Sequence, residues 1–361
     1  MEDNVQSGEI TWVEVKENGQ RRDKAWVGVK ENDRGRKHTW VGVKENVQAD
    51  SMGNESEVFQ FILIGFPGLP EKFYAIVASV IICVYSLSLC ANITVIMIIL
   101  LKAHLHQPMY IIILNLAVSD LIFDTSTMPN IIVRYFSGDG TLSFTACCFQ
   151  MGMVHSLNCV DSLTIMLMAF DRYVAICKPL RYHSIITNKV AMALCCLVWL
   201  AGSSVGLFVM SWVLPLPFCG PNRIRLFYCS MSLVAVLSCT DTSMIRRNGF
   251  YAGIIMHVGP LTFILISYIV IIASIYLTSR SENWQKLYNT CIAHWFVITL
   301  FYLPRVIDYG IQAQILSNTD VFVLLNCLYT YVPHFSSPII FCLRTQEIRR
   351  TLRKILGERL R

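Results

Sequence analysis

From residue 74 onward the chain alternates between long apolar runs and short polar breaks, and it does so seven times. The runs cover 74–101, 109–133, 144–173, 190–214, 248–278, 286–313 and 320–343. An apolar stretch of about 20 residues crosses the hydrocarbon core of a bilayer as a helix. The pattern therefore predicts an all-α membrane protein, a seven-transmembrane helix bundle. Arg305, Asp308 and Asp320 interrupt the last two runs, whose boundaries are the least sharp. Pro129, Pro260, Pro304, Pro333 and Pro338 fall inside runs. They argue against soluble helices, but in a bundle neighbouring helices satisfy the freed carbonyls. Beyond the seventh run, Ile348, Leu352, Ile355 and Leu356 recur at i, i+4, i+7 and i+8, with five bases on the remaining face of 344–356. That spacing predicts a short amphipathic cytoplasmic helix on an anionic leaflet.

The first 51 residues follow another rule. "WVEVKEN" (12–18) and "WVGVKEN" (26–32 and 40–46) recur with a period of 14. Short repeats separated by charged stretches bury little core, so a disordered or spurious low-complexity extension is expected. Residues 52–73 are then expected to form an outer N-terminal segment, 74–343 the helix bundle and 344–361 the inner helix and tail. Asn54-Glu55-Ser56 is an N-glycosylation acceptor. Asn92-Ile93-Thr94 also fits that pattern but lies inside the first run.

Composition agrees with a membrane chain. Hydrophobic residues make up 54% of the 361, charged residues only 15%, and the mean hydropathy is +0.51. A soluble domain carries about 25% charge. The net charge of +6 favours anionic lipid as a partner, and no nucleic-acid motif accompanies it. With the C-terminus in the cytoplasm, fourteen bases after Met52 lie on the inner side and seven on the outer side. The excess of bases inside predicts an extracellular N-terminus. The N-terminus is polar, so the first span itself is expected to direct insertion.

Ionisable groups inside the runs are the candidate chemistry, because charge in lipid persists where it is used. "MAFDRYVAICKPL" (168–180) closes the third run with Asp171 and Arg172 side by side. Asp120 and Asp161 lie at middle depths, as do Asn92 and Ser337. Asp161 precedes Arg172 by 11 residues, three turns of helix, so the two share a face. His155 lies 17 residues before Arg172, roughly 25 Å higher at about 1.5 Å per residue. Cys159 is one turn deeper on that face, and Tyr302, Arg305 and Tyr309 share a face of the sixth run. These residues suit an apolar cavity with a few polar anchors, the usual make-up of a small-molecule site between helices. Of the 14 cysteines, five lie at the outer face: Cys147, Cys148, Cys219, Cys229 and Cys239. Disulfides are expected there, but spacing leaves the pairing open, and no cysteine–histidine cluster suggests a metal.

Several stretches coincide with these positions: "IGFPGL" (64–69), "LHQPMY" (105–110), "LAVSDL" (116–121), "MAFDRYVAICKPLRYHSI" (168–185), "LPFCGPNRIRLFYC" with "LSCTDT", "KLYNTCIAH" (286–294), "FYLP" (301–304) and "SSPIIFCLRTQEIR" (336–349). Together they resemble the odorant receptors, a branch of the rhodopsin-like G-protein-coupled receptors, and most closely the fish-like class I odorant receptors. The resemblance covers about residues 56–356. It implies a plasma-membrane receptor that binds a small-molecule odorant and engages a heterotrimeric G protein of the stimulatory, cyclase-activating type. It implies disulfides Cys147–Cys229 and Cys219–Cys239, with Cys148 free. Asp171, Arg172 and Tyr173 would form the G-protein switch together with Pro338. Asp120 with Asn92, joined here by Asp161 and Ser337, would mark a polar core that can hold sodium. Such receptors read Asn-Pro-x-x-Tyr where this chain has Ser337-Pro338-Ile339-Ile340-Phe341. The Asn amide and the Tyr hydroxyl are lost, which keeps a decayed, non-signalling receptor as the rival reading, beside a non-olfactory chemosensory one.

Other classes fit poorly. The seventh run has no lysine for a retinal Schiff base, and the upper third run has Val154 and His155 where amine receptors need an Asp. No nucleophile–base set points to an enzyme, and no inverted repeat points to a transporter.

Overall fold

A computed structural model describes residues 10–17, 20–31, 37–44, 60–218, 222–278, 294–307, 320–344 and 348–352. The chain divides into two units, Met1–Glu57 and Val58–Arg361.

In the first unit the repeat forms an antiparallel meander of β1 (Ile10–Glu17), β2 (Gln20–Glu31) and β3 (Lys37–Lys44). Trp12 stands opposite Trp26, and Val27 opposite Val41. Period-two alternation within "WVGVK" suits these strands: β-branched and aromatic residues favour a pleated backbone.

Among the described residues the second unit is built on six long helices and a shorter one. They are α1 (Tyr74–Leu101), α2 (Pro108–Ser137), α3 (Phe144–Cys177), α4 (Asn188–Val213), α5 (Ser243–Thr278), α6 (His294–Ile307) and α7 (Asp320–Arg344). The first five are long and apolar enough to cross a membrane. The remainder of the sixth run, 286–293 and 308–313, lies outside the described residues. In α7 the apolar pattern is broken by Asn326, His334, Ser336 and Ser337. Residues 348–352 are helical within the stretch expected to be amphipathic, and Ile348 is fully buried in the inner core.

Local chemistry sets the helix ends. Pro108 opens α2 in its first turn, where a missing N–H costs nothing. Gly138 closes α2 with φ of 77°, a left-handed cap suited to glycine. Ser143 caps α3 by accepting from the Ala146 N–H, and Thr187 caps α4 by accepting from Val190. At the α3–α4 crossing, a side chain on Gly206 would collide with Ser156 and with the Gly152 carbonyl. Small residues there let the two backbones approach closely, as in membrane bundles generally.

The core has an outer and an inner cluster. Phe61, Leu63, Phe123, Met151 and Tyr228 belong to the outer one, and Ile99, Tyr110, Met168, Phe301 and Phe341 to the inner one. The outer end is covered by a small sheet in the order β5 (Thr141–Ser143), β4 (Gln60–Leu63), β6 (Arg223–Ile224). Gly65 follows β4 at φ 72°, where any side chain would strike the Tyr135 hydroxyl. The Phe66 N–H donates to that hydroxyl at 2.9 Å. Large apolar side chains such as Leu101, Phe136, Leu200, Leu207, Ile255 and Ile269 face outward, as a lipid-facing surface requires.

Candidate functional site

The outer half of the bundle encloses a cavity of about 430 Å³ between α3, α4, α5, α6 and α7, under the loop that carries Tyr228. Its lining is mostly apolar, with Val154, Phe208, Trp212 and Met256 among the walls. His155, Cys159 and Arg305 all line it. Cys159 is buried, and the half-buried His155 presents an unpartnered Nε2. Arg305 is only 5% exposed. Its Nη1 donates to His257 Nε2 at 2.6 Å and its Nη2 to Asn158 Oδ1 at 2.5 Å. His257 therefore holds its proton on Nδ1 and donates it to the Gly253 carbonyl at 2.8 Å. The guanidinium also lies over the Phe301 ring at 4.2 Å and over the Tyr329 ring at 5.3 Å. Among the described residues no carboxylate pairs with it, and its Nε is unpartnered. Asn158 and His257 were not anticipated from the sequence. Tyr302 turns away from the cavity: it is buried, with its hydroxyl 2.9 Å from Ser162 Oγ. Tyr309 lies outside the described residues.

The outer end is tied by a disulfide between Cys147 and Cys229, with Cα atoms 5.5 Å apart. Gln150 reinforces it: its Oε1 accepts from the Cys229 N–H at 2.9 Å, and its Nε2 donates to the Ser126 carbonyl at 2.8 Å. Cys148 is free and buried. Cys239 is disulfide-bonded, while Cys219, like Asn54, lies outside the described residues.

At mid-depth the polar residues of three helices converge on His334 of α7, a residue that sequence reasoning passed over. Its Nδ1 lies 2.8 Å from Asp124, and its Nε2 lies 3.7 Å from both Asp120 and Asp161. His334 and the three acids are all buried. Ser88 donates to Asp124. Asn92 donates to the Ser88 and His334 carbonyls, each at 3.1 Å, and so ties α1 to α7. Ser337 is buried one turn below. The rule that flagged Asp120 and Asp161, an ionisable group inside an apolar run, applies equally to Asp124 and His334.

At the inner end Arg172 Nη2 lies 3.3 Å from Asp171 Oδ2. The other oxygen of Asp171 accepts from the Tyr182 hydroxyl at 2.8 Å. Tyr182 sits in the short helix Tyr182–Ile185 that follows α3. Burial, then the adjacent Asp171 charge, push its phenol well above the ordinary tyrosine range, so it remains a donor. Tyr173 is half-buried beside the pair. Pro338 lies within α7, and Phe341, where the related motif has Tyr, is buried with its ring 6.1 Å from that of His294.

The arrangement can thus admit a small molecule from one end, hold polar groups at its middle and release an ion pair at the other. A family model described as "Olfactory receptor" matches residues 81–359. Human olfactory receptor 6B1 is 31% identical over 302 residues, covering 84% of this chain and 96% of the relative. Mouse olfactory receptor 2C1 is 32% identical over 300 residues, covering 82% and 95%. Rat olfactory receptor 226 is 30% identical over 307 residues, covering 84% and 93%.

Proposed function

The chain belongs to the olfactory receptor family, multi-pass rhodopsin-like G-protein-coupled receptors that are not enzymes, and we propose that it detects small polar or acidic odorants at the plasma membrane. In this reading the N-terminus faces outward, apolar side chains meet the lipid, and a stimulatory olfactory-type G protein carries the signal to adenylyl cyclase. The odorant occupies the outer cavity, with Arg305 and His155 at its polar end and Cys159 along the wall.

One observation carries the ligand class. Arg305 is a buried cation against the cavity, and among the described residues no acid compensates it; Asp308, the acid three residues on in the sequence, lies outside them. Leaving a charge buried and unpaired is costly. An anionic or strongly polar ligand lowers that cost, and the apolar walls take an aliphatic tail. Asp171, Arg172, Tyr173 and Pro338 then serve as the switch: movement at the inner end frees Arg172 for a G-protein helix, in a two-state bundle biased by ligand. The test is a screen of short acids, alcohols, aldehydes and amines on cells that supply the olfactory G protein, with cyclic AMP as readout. Responses confined to acids and strongly polar molecules support the proposal. Responses confined to apolar hydrocarbons would refute the ligand class, and silence at confirmed surface expression would refute the signalling role.

A further inference from the structure

The mid-bundle cluster fits a sodium ion poorly. Sodium takes oxygen ligands, as hard cations do, but here an imidazole nitrogen forms one corner. Asp124 accepts from Nδ1 of His334 at 2.8 Å, so in the neutral ring Nε2 carries the lone pair. That nitrogen faces Asp120 and Asp161, 3.7 Å away on each side. A lone pair facing two carboxylates is repulsive unless a proton or a metal cation lies between them. His334 Nε2, Asp120 Oδ2 and both oxygens of Asp161 are buried and have no hydrogen-bond partner. Donor atoms of these three residues lie within 4.8 Å of one another.

We propose that Asp120, Asp161 and His334 form a site for a divalent transition-metal ion of the zinc type, in place of the family's sodium. Two features favour that class. Imidazole selects zinc-like ions over alkali and alkaline-earth ions. The carboxylate behind the ring, Asp124, matches the carboxylate–histidine–metal arrangement that fixes a ligating histidine's tautomer and raises its basicity. One divalent ion offsets two of the three carboxylate charges in the cluster, and Asp124 keeps its hydrogen bonds from His334 and Ser88. Tetrahedral ligands at about 2.1 Å from zinc stand roughly 3.4 Å apart, so the two separations of 3.7 Å from His334 need only a slight closing, while donor atoms of the full set lie within 4.8 Å of one another. The ligands come from α2, α3 and α7, so the ion would pin three helices at mid-depth.

The experiment uses the full chain in phosphatidylcholine nanodiscs, stripped with chelator and titrated separately with zinc chloride and sodium chloride. Bound zinc and the midpoint of thermal unfolding are measured. The parent should bind one zinc more per chain than His334→Gln and should melt higher with zinc. Asp124→Asn keeps all three ligands and should weaken zinc binding about 10- to 100-fold. Cobalt(II) on the parent should give the visible absorption of a low-symmetry nitrogen–oxygen site, a readout that needs no variant to fold. Stabilisation by sodium but not by zinc would overturn the proposal in favour of an oxygen-only monovalent site. Insensitivity to both ions, with equal zinc content in parent and His334→Gln and no cobalt bands, would overturn it in favour of His334 serving as the cluster's own cation.

Discussion

The Tyr182 hydroxyl donates to Asp171 at 2.8 Å, on the carboxylate oxygen opposite the one that faces Arg172. Asp171 is therefore held from two sides, by its neighbour on α3 and by the short helix that follows it. Removing one side should loosen the latch. Tyr182→Phe deletes a hydrogen bond to a charged group; taken as about 1 kcal/mol for a half-exposed site, that shifts a two-state equilibrium roughly fivefold. Ligand-independent cyclic AMP should rise by about that factor. Basal signalling equal to the parent at matched surface expression would remove Tyr182 from the latch.

In the proposed switch, Arg172 is the group that leaves Asp171. Arg172→Ala should abolish ligand-evoked cyclic AMP while surface expression stays largely intact, because Arg172 belongs to neither apolar core cluster. Flow cytometry on an extracellular tag, run beside the cyclic AMP assay, separates loss of coupling from loss of protein. Normal signalling in this variant would leave Arg172 as an interfacial anchor.

Ser337 and Phe341 are both buried in α7. Restoring Asn and Tyr there returns two polar groups to the switch region. The double variant Ser337→Asn/Phe341→Tyr should signal with greater amplitude, by roughly fivefold for one added hydrogen bond of about 1 kcal/mol. His294, whose ring already lies beside that of Phe341, is a neighbour for the new hydroxyl. An amplitude unchanged from the parent would show that inner packing has replaced those polar groups.

The repeat occupies a unit of its own, Met1–Glu57. Deleting 1–51 should change neither membrane insertion nor the concentration of ligand giving half-maximal response. Surface staining and a dose–response curve decide it; loss of surface receptor would make the strands part of the receptor's biogenesis.

How far the sequence could be read varies with the range of the interaction. The spans were legible because each is a local property: α1 runs over the same residues as its apolar run, and α3 starts at Phe144 as expected. Helix ends went further than the apolar count where a cap or an interfacial base extended them, as at Arg134 before Gly138. Contacts between helices were less legible. His334 meets Asp124 across 210 residues, and Arg305 meets Asn158 across 147. Shared face alone placed Tyr302 with Arg305. In the bundle, the turn that separates them puts Tyr302 against Ser162 of α3 and leaves Arg305 in the cavity. In the repeat, charge density concealed the period-two alternation that the strands of the first unit follow.

The central claim is that a ligand recognised by Arg305 drives G-protein signalling. The most direct measurement is a cyclic AMP dose–response for a short carboxylic acid and its methyl ester, on the parent and on Arg305→Ala at matched surface expression. The ester keeps the shape and loses the charge. The acid should be at least about tenfold more potent than the ester on the parent, a factor worth roughly 1.4 kcal/mol, and that advantage should vanish in Arg305→Ala. Equal potency of acid and ester on the parent, with Arg305→Ala indistinguishable from it, would contradict the claim.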